Sequence, residues 1–346
     1  MSLPSKLRLQ ALRGDFYVIS DGGYNNSDCP YAVPRPCIYV FGSSTFTDTH
    51  EERNILLGRV LLALREHGRP KGLEVIILDL RSGIPDENIL DHKTWPGCER
   101  ELLRCFNGSA GLFFLSLQGN KYGYTPIPKT IDQAAFEQRL SERSASEHLE
   151  AVALANEWYQ LDTNAVPPVY VLKNLVADWH LGATASTEQR FWDKNNGVQI
   201  RLVDFLQGIV FDSVFEDGII GRSVTEYEAK LALNLCKNDQ GELDQSKLNQ
   251  GIRWLRREFV GGVTEAQDPK KDLNDARDPA TKMKLHNLKA SMESALSQHG
   301  LMKVLTVPVD SFNAKDDVHK KYLEEFEAAA KQMLLESMDK VNERML

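Results

Sequence analysis

Short apolar runs alternate with helical patterns in the first half of the chain. Runs rich in strand-forming residues, each ended by glycine, serine or proline, occupy 37–41, 73–80 and 111–117. Apolar positions with helical spacing follow a cap at Thr47 or Thr49 and recur before the third run. This alternation of strand and helix predicts parallel pairing through right-handed crossovers. The first half is therefore predicted to be an open α/β fold of the flavodoxin-like kind, with a parallel sheet and flanking helices.

The strand pattern weakens after residue 174. A fourth strand is predicted at 168–172, after a helix around 137–159. The helices predicted beyond it occupy 187–216, 224–236, 248–259, 280–299 and 318 to the C-terminus. One lone extended segment is predicted at 304–309. We therefore predict an irregular arm (1–35), an α/β domain (36–175) and a mostly helical second domain (176–346), for which a winged-helix-like adaptor is one interpretation.

Composition narrows the function classes. The 346 residues include 41 basic and 49 acidic side chains, and a net charge of -8 argues against nucleic-acid binding and against attraction to anionic membrane. No apolar run is long enough to span a bilayer. An odd number of cysteines, 5, without pairwise spacing, favours reduced thiols in a cytoplasmic protein. The sequence also lacks a GxxxxGK[ST] phosphate loop, a GxGxxG motif and the metal motifs HExxH and CxxC.

Polar residues follow each strand of the predicted parallel sheet. Ligands of open α/β sheets bind beyond the carboxyl ends of the strands. Hydroxyl groups and backbone donors ahead of a helix suit an anion or a ribose, and tyrosines could flank a planar group. The candidate binding residues are Ser43, Ser44, Thr45, Arg53, Arg81, Tyr122 and Tyr124. The competing structural interpretation, which sequence physics alone favours, is that the hydroxyls cap the helix, Asp79 pairs with Arg81 or Arg53, and the tyrosines cover the sheet.

Glu99 and Glu101 lie on the helix predicted before the third strand. A carboxylate near the strand ends could bind ribose hydroxyls or stabilise an oxocarbenium-like centre. The structural alternative is a pair of solvated glutamates on an amphipathic helix. The two positions flank the apolar stripe on opposite sides, so helical geometry does not choose between them.

Five ordered segments, 41–53, 79–84, 98–102, 117–128 and 157–167, resemble motifs of one family. They are similar to the TIR-like domain at the N-terminus of NACHT and WD-repeat proteins, which has relatives in the telomerase-associated protein and the nephrocystins. The remainder of the chain more weakly resembles the helical region that precedes the NACHT module. The resemblance implies that a NACHT module and WD repeats would follow Leu346.

The resemblance implies a signalling and interaction module. Its partners would be other proteins, its own NACHT and WD modules, or further copies of itself, and no cofactor would be required. Because some TIR domains hydrolyse NAD with a glutamate in a helix before a strand, the resemblance also allows an NAD glycohydrolase. NAD would then be the substrate, and Glu101 or Glu99 the catalytic carboxylate.

Overall fold

The structure is a computed structural model. It describes residues 36–45, 48–80, 94–144, 149–173, 190–191, 197–207, 209, 220–260, 279–307 and 317–345. The predicted arm at 1–35 therefore lies outside the described residues, as does Arg81.

The strands and helices are numbered along the chain. The strands are β1 (Cys37–Ser44), β2 (Glu74–Leu78), β3 (Phe114–Gln118), β4 (Thr130–Asp132), β5 (Tyr159–Asp162), β6 (Val169–Leu172), β7 (Ile252–Phe259) and β8 (Met302–Val307). The first helix, α1, runs through His50–Ile55, a π-helical turn at Leu56–Val60, and Leu61–Gly68. The others are α2 (Thr94–Gly108), α3 (Gln133–Ser144), α4 (Leu149–Trp158), α5 (Val198–Leu206), α6 (Val224–Leu235), α7 (Gln245–Gly251), α8 (Pro279–Leu296) and α9 (Asp317–Met345).

The main sheet has five parallel strands in the order β2–β1–β3–β7–β8. Counted along the chain, this is the flavodoxin-like order 2-1-3-4-5, with its switch point between β1 and β3. In register, Ser44 lies beside Leu117, and Leu117 lies beside Leu255. The carboxyl ends of β1, β3 and β7 therefore meet at one edge, which we call the carboxyl edge.

Helices cover both faces of this sheet. The apolar core on one face includes residues of α1 and α9, and the core on the other face includes residues of α2, α6 and α8. In α9 the buried apolar side chains recur about every four residues, at Tyr322, Phe326, Ala330, Leu334, Met338 and Val341. Each large apolar side chain buried in this way contributes roughly 1.5–3 kcal/mol. The predicted α/β fold with flanking helices and a mostly helical later part is confirmed.

A smaller unit is inserted between β3 and β7. Its antiparallel sheet has the order β4–β6–β5, and its core includes Phe136, Trp158, Leu202 and Phe205. The strand predicted at 168–172 is present as β6, but it pairs with β4 and β5 and not with the parallel sheet. A regular run of strand-forming residues does not reveal which sheet a strand will join.

Two further predictions for the later half were wrong. The helix predicted over 248–259 ends at Gly251 as α7, and the residues after it form β7 between β3 and β8. The segment predicted as lone and extended is the edge strand β8. Arg253 and Arg257 interrupt the apolar run that marks a central parallel strand, so β7 resembled an amphipathic helix. The predicted helix at 137–159 corresponds to α3 and α4.

The parallel sheet crosses the predicted domain boundary at residue 175. Three of its strands precede that residue and two follow it. The division into 36–175 and 176–346 stays a prediction. Among the described helices, none is long and apolar enough to cross a membrane.

We expect a fragment of residues 36–175 not to fold by itself. Without β7 the central strand β3 becomes an exposed apolar edge, and without α9 one face of the sheet loses its cover. The measurement is thermal unfolding followed by circular dichroism, with residues 36–346 as the control. A soluble 36–175 fragment with a cooperative transition would contradict the expectation and support the predicted boundary.

Candidate functional site

A buried arginine lies at the carboxyl edge. Arg257 of β7 donates from Nη1 to Oε1 of Glu52 at 2.5 Å, and its Nη2 lies 3.5 Å from Oδ2 of Asp48. All three side chains are at most 3% exposed. Burial alone would lower the pKa of Arg257, but the two carboxylates outweigh burial and raise it. The guanidinium therefore remains charged in the interior, held by two acidic residues from the start of α1 and the turn before it.

Asp48 also holds the loop after β3. Its Oδ2 accepts hydrogen bonds from the backbone N–H groups of Asn120 at 2.8 Å and Lys121 at 3.1 Å. A side chain at Gly119 would overlap Asp48 and would put its Cβ 2.9 Å from Nη2 of Arg257. Glycine is therefore required at this close approach. Consecutive backbone donors of this kind can bind an anionic ligand, and here the carboxylate of Asp48 takes that place.

Arg53 forms the ion pair expected from the sequence. Its guanidinium bonds to both carboxylate oxygens of Asp79 at the end of β2, with Nε lying 3.3 Å from Oδ2. Both side chains are nearly buried. Of the candidate hydroxyls, that of Thr45 donates to Asp48, and that of Ser44 donates to the carbonyl of Thr45 at 3.2 Å. These groups thus have partners within the chain, but the prediction that the hydroxyls cap the helix was wrong, because the N-cap Thr49 makes no side-chain cap hydrogen bond.

A second buried carboxylate lies beside the end of β1. Ser43 donates from Oγ to Oε2 of Glu228 in α6 at 2.5 Å, and the Cys98 thiol in α2 also hydrogen-bonds to Glu228. Burial raises the pKa of Glu228 to about 7, while the bonds from Ser43 and Cys98 and the charge of Arg53 oppose the shift. Glu228 is therefore a buried carboxyl group that holds its proton more tightly than a carboxyl group in water, and it lies beside β1 and α2.

Two tyrosines of the loop after β3 contact the beginning of α6, Tyr122 through its side chain and Tyr124 through its backbone. The hydroxyl of Tyr122 donates to Glu226, and Tyr122 is only 1% exposed. The carbonyl of Tyr124 accepts from the backbone N–H of Val224 at 2.8 Å. Burial raises the pKa of both phenols, and for Tyr122 the Glu226 carboxylate adds to the effect. The contacts of Tyr122 and Tyr124 anchor the loop to the beginning of α6.

The two glutamates predicted as catalytic lie apart from these contacts. The Glu101 carboxylate is 3.5 Å from Nε of Arg100 and 3.4 Å from Nη1 of Arg104, on its own helix. Burial raises the pKa of Glu99, and its Oε1 has no hydrogen-bond partner among the described residues. No hydrogen bond in the described part of the chain joins either glutamate to Ser43 or Ser44. Their catalytic role stays a prediction.

A small cavity lies at the carboxyl edge, between the ends of β3 and β7 and the beginnings of α1 and α9. Its volume of about 10 Å³ is near the minimum for one water molecule. Polar lining is supplied by Glu52, Gln118, Arg256 and Arg257, and apolar lining by Leu305 and Phe326 among others. Within the described residues, no group of three or more histidine, cysteine, aspartate or glutamate side chains is placed to hold a metal ion.

Sequence analysis did not identify Glu228, Glu226 or Arg257 as site residues. Arg257 lay in a segment predicted as helical, and Glu228 is separated from Ser43 by 185 positions. One local signal was present for α6. Ser223 accepts from the N–H of Glu226 at 3.3 Å, as in the S-x-x-E capping box, which fixes the start of the helix that carries both glutamates.

The raised pKa of Glu228 predicts a dependence of stability on pH. Its ordinary value is 4.5, so the folded state binds the extra proton more tightly than the unfolded state does. The proton on Glu228 contributes its full stabilisation of the folded state below about pH 4.5. As the pH rises through about 7, the free energy of unfolding should fall by on the order of 3 kcal/mol. Glu228→Gln keeps an acceptor for Ser43 and should abolish this fall. Urea unfolding at a series of pH values measures it.

The matched control for this prediction is Glu101→Gln. Glu101 is a carboxylate paired with surface arginines, so its replacement should leave the fall in stability unchanged. An equal fall in the wild-type chain and in Glu228→Gln would show that Glu228 is not its source.

The chain is similar to segments of much longer proteins. It is 30% identical over 280 residues to mouse NACHT domain- and WD repeat-containing protein 1, a match that covers 77% of this chain and 17% of the relative. It is 36% identical over 138 residues to human NACHT and WD repeat domain-containing protein 2, covering 39% of this chain and 8% of the relative. Rat telomerase protein component 1 is 32% identical over 130 residues, covering 36% and 4%.

The chain thus spans less than a fifth of the length of these relatives. No family model matches it. No solved structure matches it either. The assignment as a TIR-like domain stays a prediction. The suspected relatives are confirmed: the chain is homologous to a segment of the NACHT and WD repeat proteins and of telomerase protein component 1.

Proposed function

We propose that this chain is a protein-interaction module of a NACHT and WD repeat protein, which acts in assembly or autoregulation and needs no cofactor. The module would associate with further copies of itself or with the NACHT and WD parts of the same protein. The names of the two NACHT relatives describe a NACHT domain and WD repeats, which is the setting that this function requires.

The proposal rests on the hydrogen bonds within the chain at the carboxyl edge, where the sheet has its switch point. Doubly wound sheets bind ligands there. In this chain Asp48 occupies the backbone N–H groups of Asn120 and Lys121, and Ser43 is engaged by Glu228. The cavity beside Arg257 is close to the size of one water molecule. Within the described residues, donors at this edge bind the chain's own side chains, which favours a module that works through its surfaces over one that binds a nucleotide.

One observation favours the alternative, an NAD glycohydrolase. Glu228 is a buried carboxyl group at the end of β1, and its pKa is raised to about 7. Enzymes raise carboxyl pKa values in this way to supply a general acid at neutral pH. Under this alternative Glu228 becomes a candidate for the catalytic carboxylate alongside Glu101 and Glu99, which were predicted from the sequence.

We expect residues 1–346 to self-associate reversibly. The measurement is sedimentation velocity over a wide concentration range, in which the weight-average sedimentation coefficient should rise with concentration. Addition of NAD should leave that rise unchanged, because the module binds no nucleotide in this proposal. A chain that stays monomeric up to its highest soluble concentration would contradict self-assembly.

Incubation of the same protein with NAD distinguishes an interaction module from an NAD glycohydrolase. The interaction module should release no nicotinamide above the level of the protein-free control, even at high protein concentration. The glycohydrolase predicts release that is lost in Glu228→Gln, or in Glu101→Ala or Glu99→Ala if a residue predicted from sequence carries the reaction. Release of nicotinamide that any one of these variants abolishes would overturn a purely non-enzymatic function.

A further inference from the structure

The long helix α9 contacts the carboxyl edge through Tyr322, near its beginning. The hydroxyl of Tyr322 donates to Oε1 of Glu52 at 2.8 Å. The same oxygen accepts from Nη1 of Arg257 at 2.5 Å. Tyr322 is 3% exposed, so water has little access to this contact. A buried carboxylate oxygen shared by a tyrosine on one element and an arginine on another ties the two donors together.

Both described hydrogen bonds to the Glu52 carboxylate reach that one oxygen, Oε1. The other carboxylate oxygen, Oε2, is buried and has no hydrogen-bond partner within the part of the chain that the structure describes. A buried charge is costly unless donors surround it. Loss of the Tyr322 hydroxyl would leave Arg257 as the one hydrogen-bond donor to Glu52 among the described residues, and we expect the Glu52–Arg257 pair to shift in response.

Arg257 also lies beside Asp48, which binds the loop after β3. Nη2 of Arg257 lies 3.5 Å from Oδ2 of Asp48, and that oxygen accepts the N–H groups of Asn120 and Lys121. Gly119 lies so close to Asp48 and Arg257 that no Cβ fits between them. Any displacement of the Arg257 guanidinium therefore acts on this loop directly. Close contact of this kind transmits a displacement from one group to the next.

Elsewhere α9 is attached to α1 by ion pairs nearer to the surface. Arg59 pairs with Glu327 at 3.0 Å, and His67 contacts Asp339 at 2.8 Å. These contacts fix the helix along α1 but do not touch the carboxyl edge. They provide a comparison, because they anchor the same helix without contacting Glu52 or Arg257.

We infer that Tyr322, Glu52, Arg257 and Asp48 form a buried relay by which the position of α9 sets the conformation of the loop at 119–121. A shift of α9 away from α1 would remove one of the two described donors to Glu52, displace the Glu52–Arg257 pair, and loosen the loop amides that Asp48 holds. The relay is a conformational device in the fold, and it would operate equally in an interaction module or in an enzyme. It makes the end of β3, at the switch point, responsive to whatever moves the last described helix.

The test is hydrogen exchange of the Asn120 and Lys121 amides in the full 346-residue chain, resolved by NMR. Tyr322→Phe removes only the hydroxyl and should raise the exchange rate of both amides by roughly tenfold. The control is Glu327→Gln in the same helix, which removes the Arg59 pair and should leave both amides at the wild-type rate. The amide of Leu115 in the centre of β3 reports global stability; its exchange should be unchanged in Glu327→Gln and should rise in Tyr322→Phe by less than that of the two loop amides.

A second measurement starts from the loop. If α9 and the loop are coupled, a change in the loop should also affect α9. Gly119→Ala should displace the loop and raise exchange over 323–326 in α9. Gly97→Ala, where a Cβ meets no atom within 4 Å, should not. The relay is refuted if Tyr322→Phe changes exchange only within α9. It is equally refuted if Tyr322→Phe changes Asn120, Lys121 and Leu115 by the same factor, since Tyr322 would then support global stability alone.

Discussion

The ion pair of Arg257 with Glu52 is the constraint around which the carboxyl edge is arranged. A guanidinium in the interior of a sheet loses its hydration, and the loss is tolerable only when carboxylates lie within bonding distance. Here Glu52 of α1 and Asp48 of the turn before it supply the carboxylates. The hydroxyl of Tyr322 in α9 hydrogen-bonds to Glu52 and orients it. The loop after β3 then closes over the second carboxylate. One buried charge on β7 thereby fixes the relative positions of segments that are far apart in sequence.

This arrangement has a chemical consequence at the switch point. In nucleotide-binding relatives of the fold, backbone donors at this edge face an anionic ligand. Here the donors of the loop face Asp48, and Asp48 is held by Arg257 and Thr45. An external anion would have to displace a carboxylate that is covalently part of the chain and therefore always present at high effective concentration. Within the described part of the chain, the amide donors of this loop are thus occupied by a protein charge.

Sequence patterns located the strands whose residues are apolar and missed the strand that carries the buried charges. β1, β2 and β3 are continuous apolar runs because both faces of the sheet are covered, and their order and flanking helices followed from the alternation. β7 contains Arg253 and Arg257, whose neutralisation depends on distant residues that no local window contains. The same holds for the contacts of the candidate site. The pair of Arg53 with Asp79 was among those expected from the sequence, whereas the contact of Glu228 with Ser43 depends on the crossover that brings α6 to β1.

The topology also explains the extent of the homology. The five sequence motifs lie within 36–175, yet the match to the mouse relative extends over 280 residues, which is longer than that interval. A unit that ended at 175 would leave β3 without its neighbour β7 and Glu52 without both of its described donors, Arg257 and Tyr322. The central strand and the buried charges of the first part are completed by residues of the second part. A homologous segment that preserves this sheet must therefore retain β7, and the Tyr322 contact extends the requirement to α9.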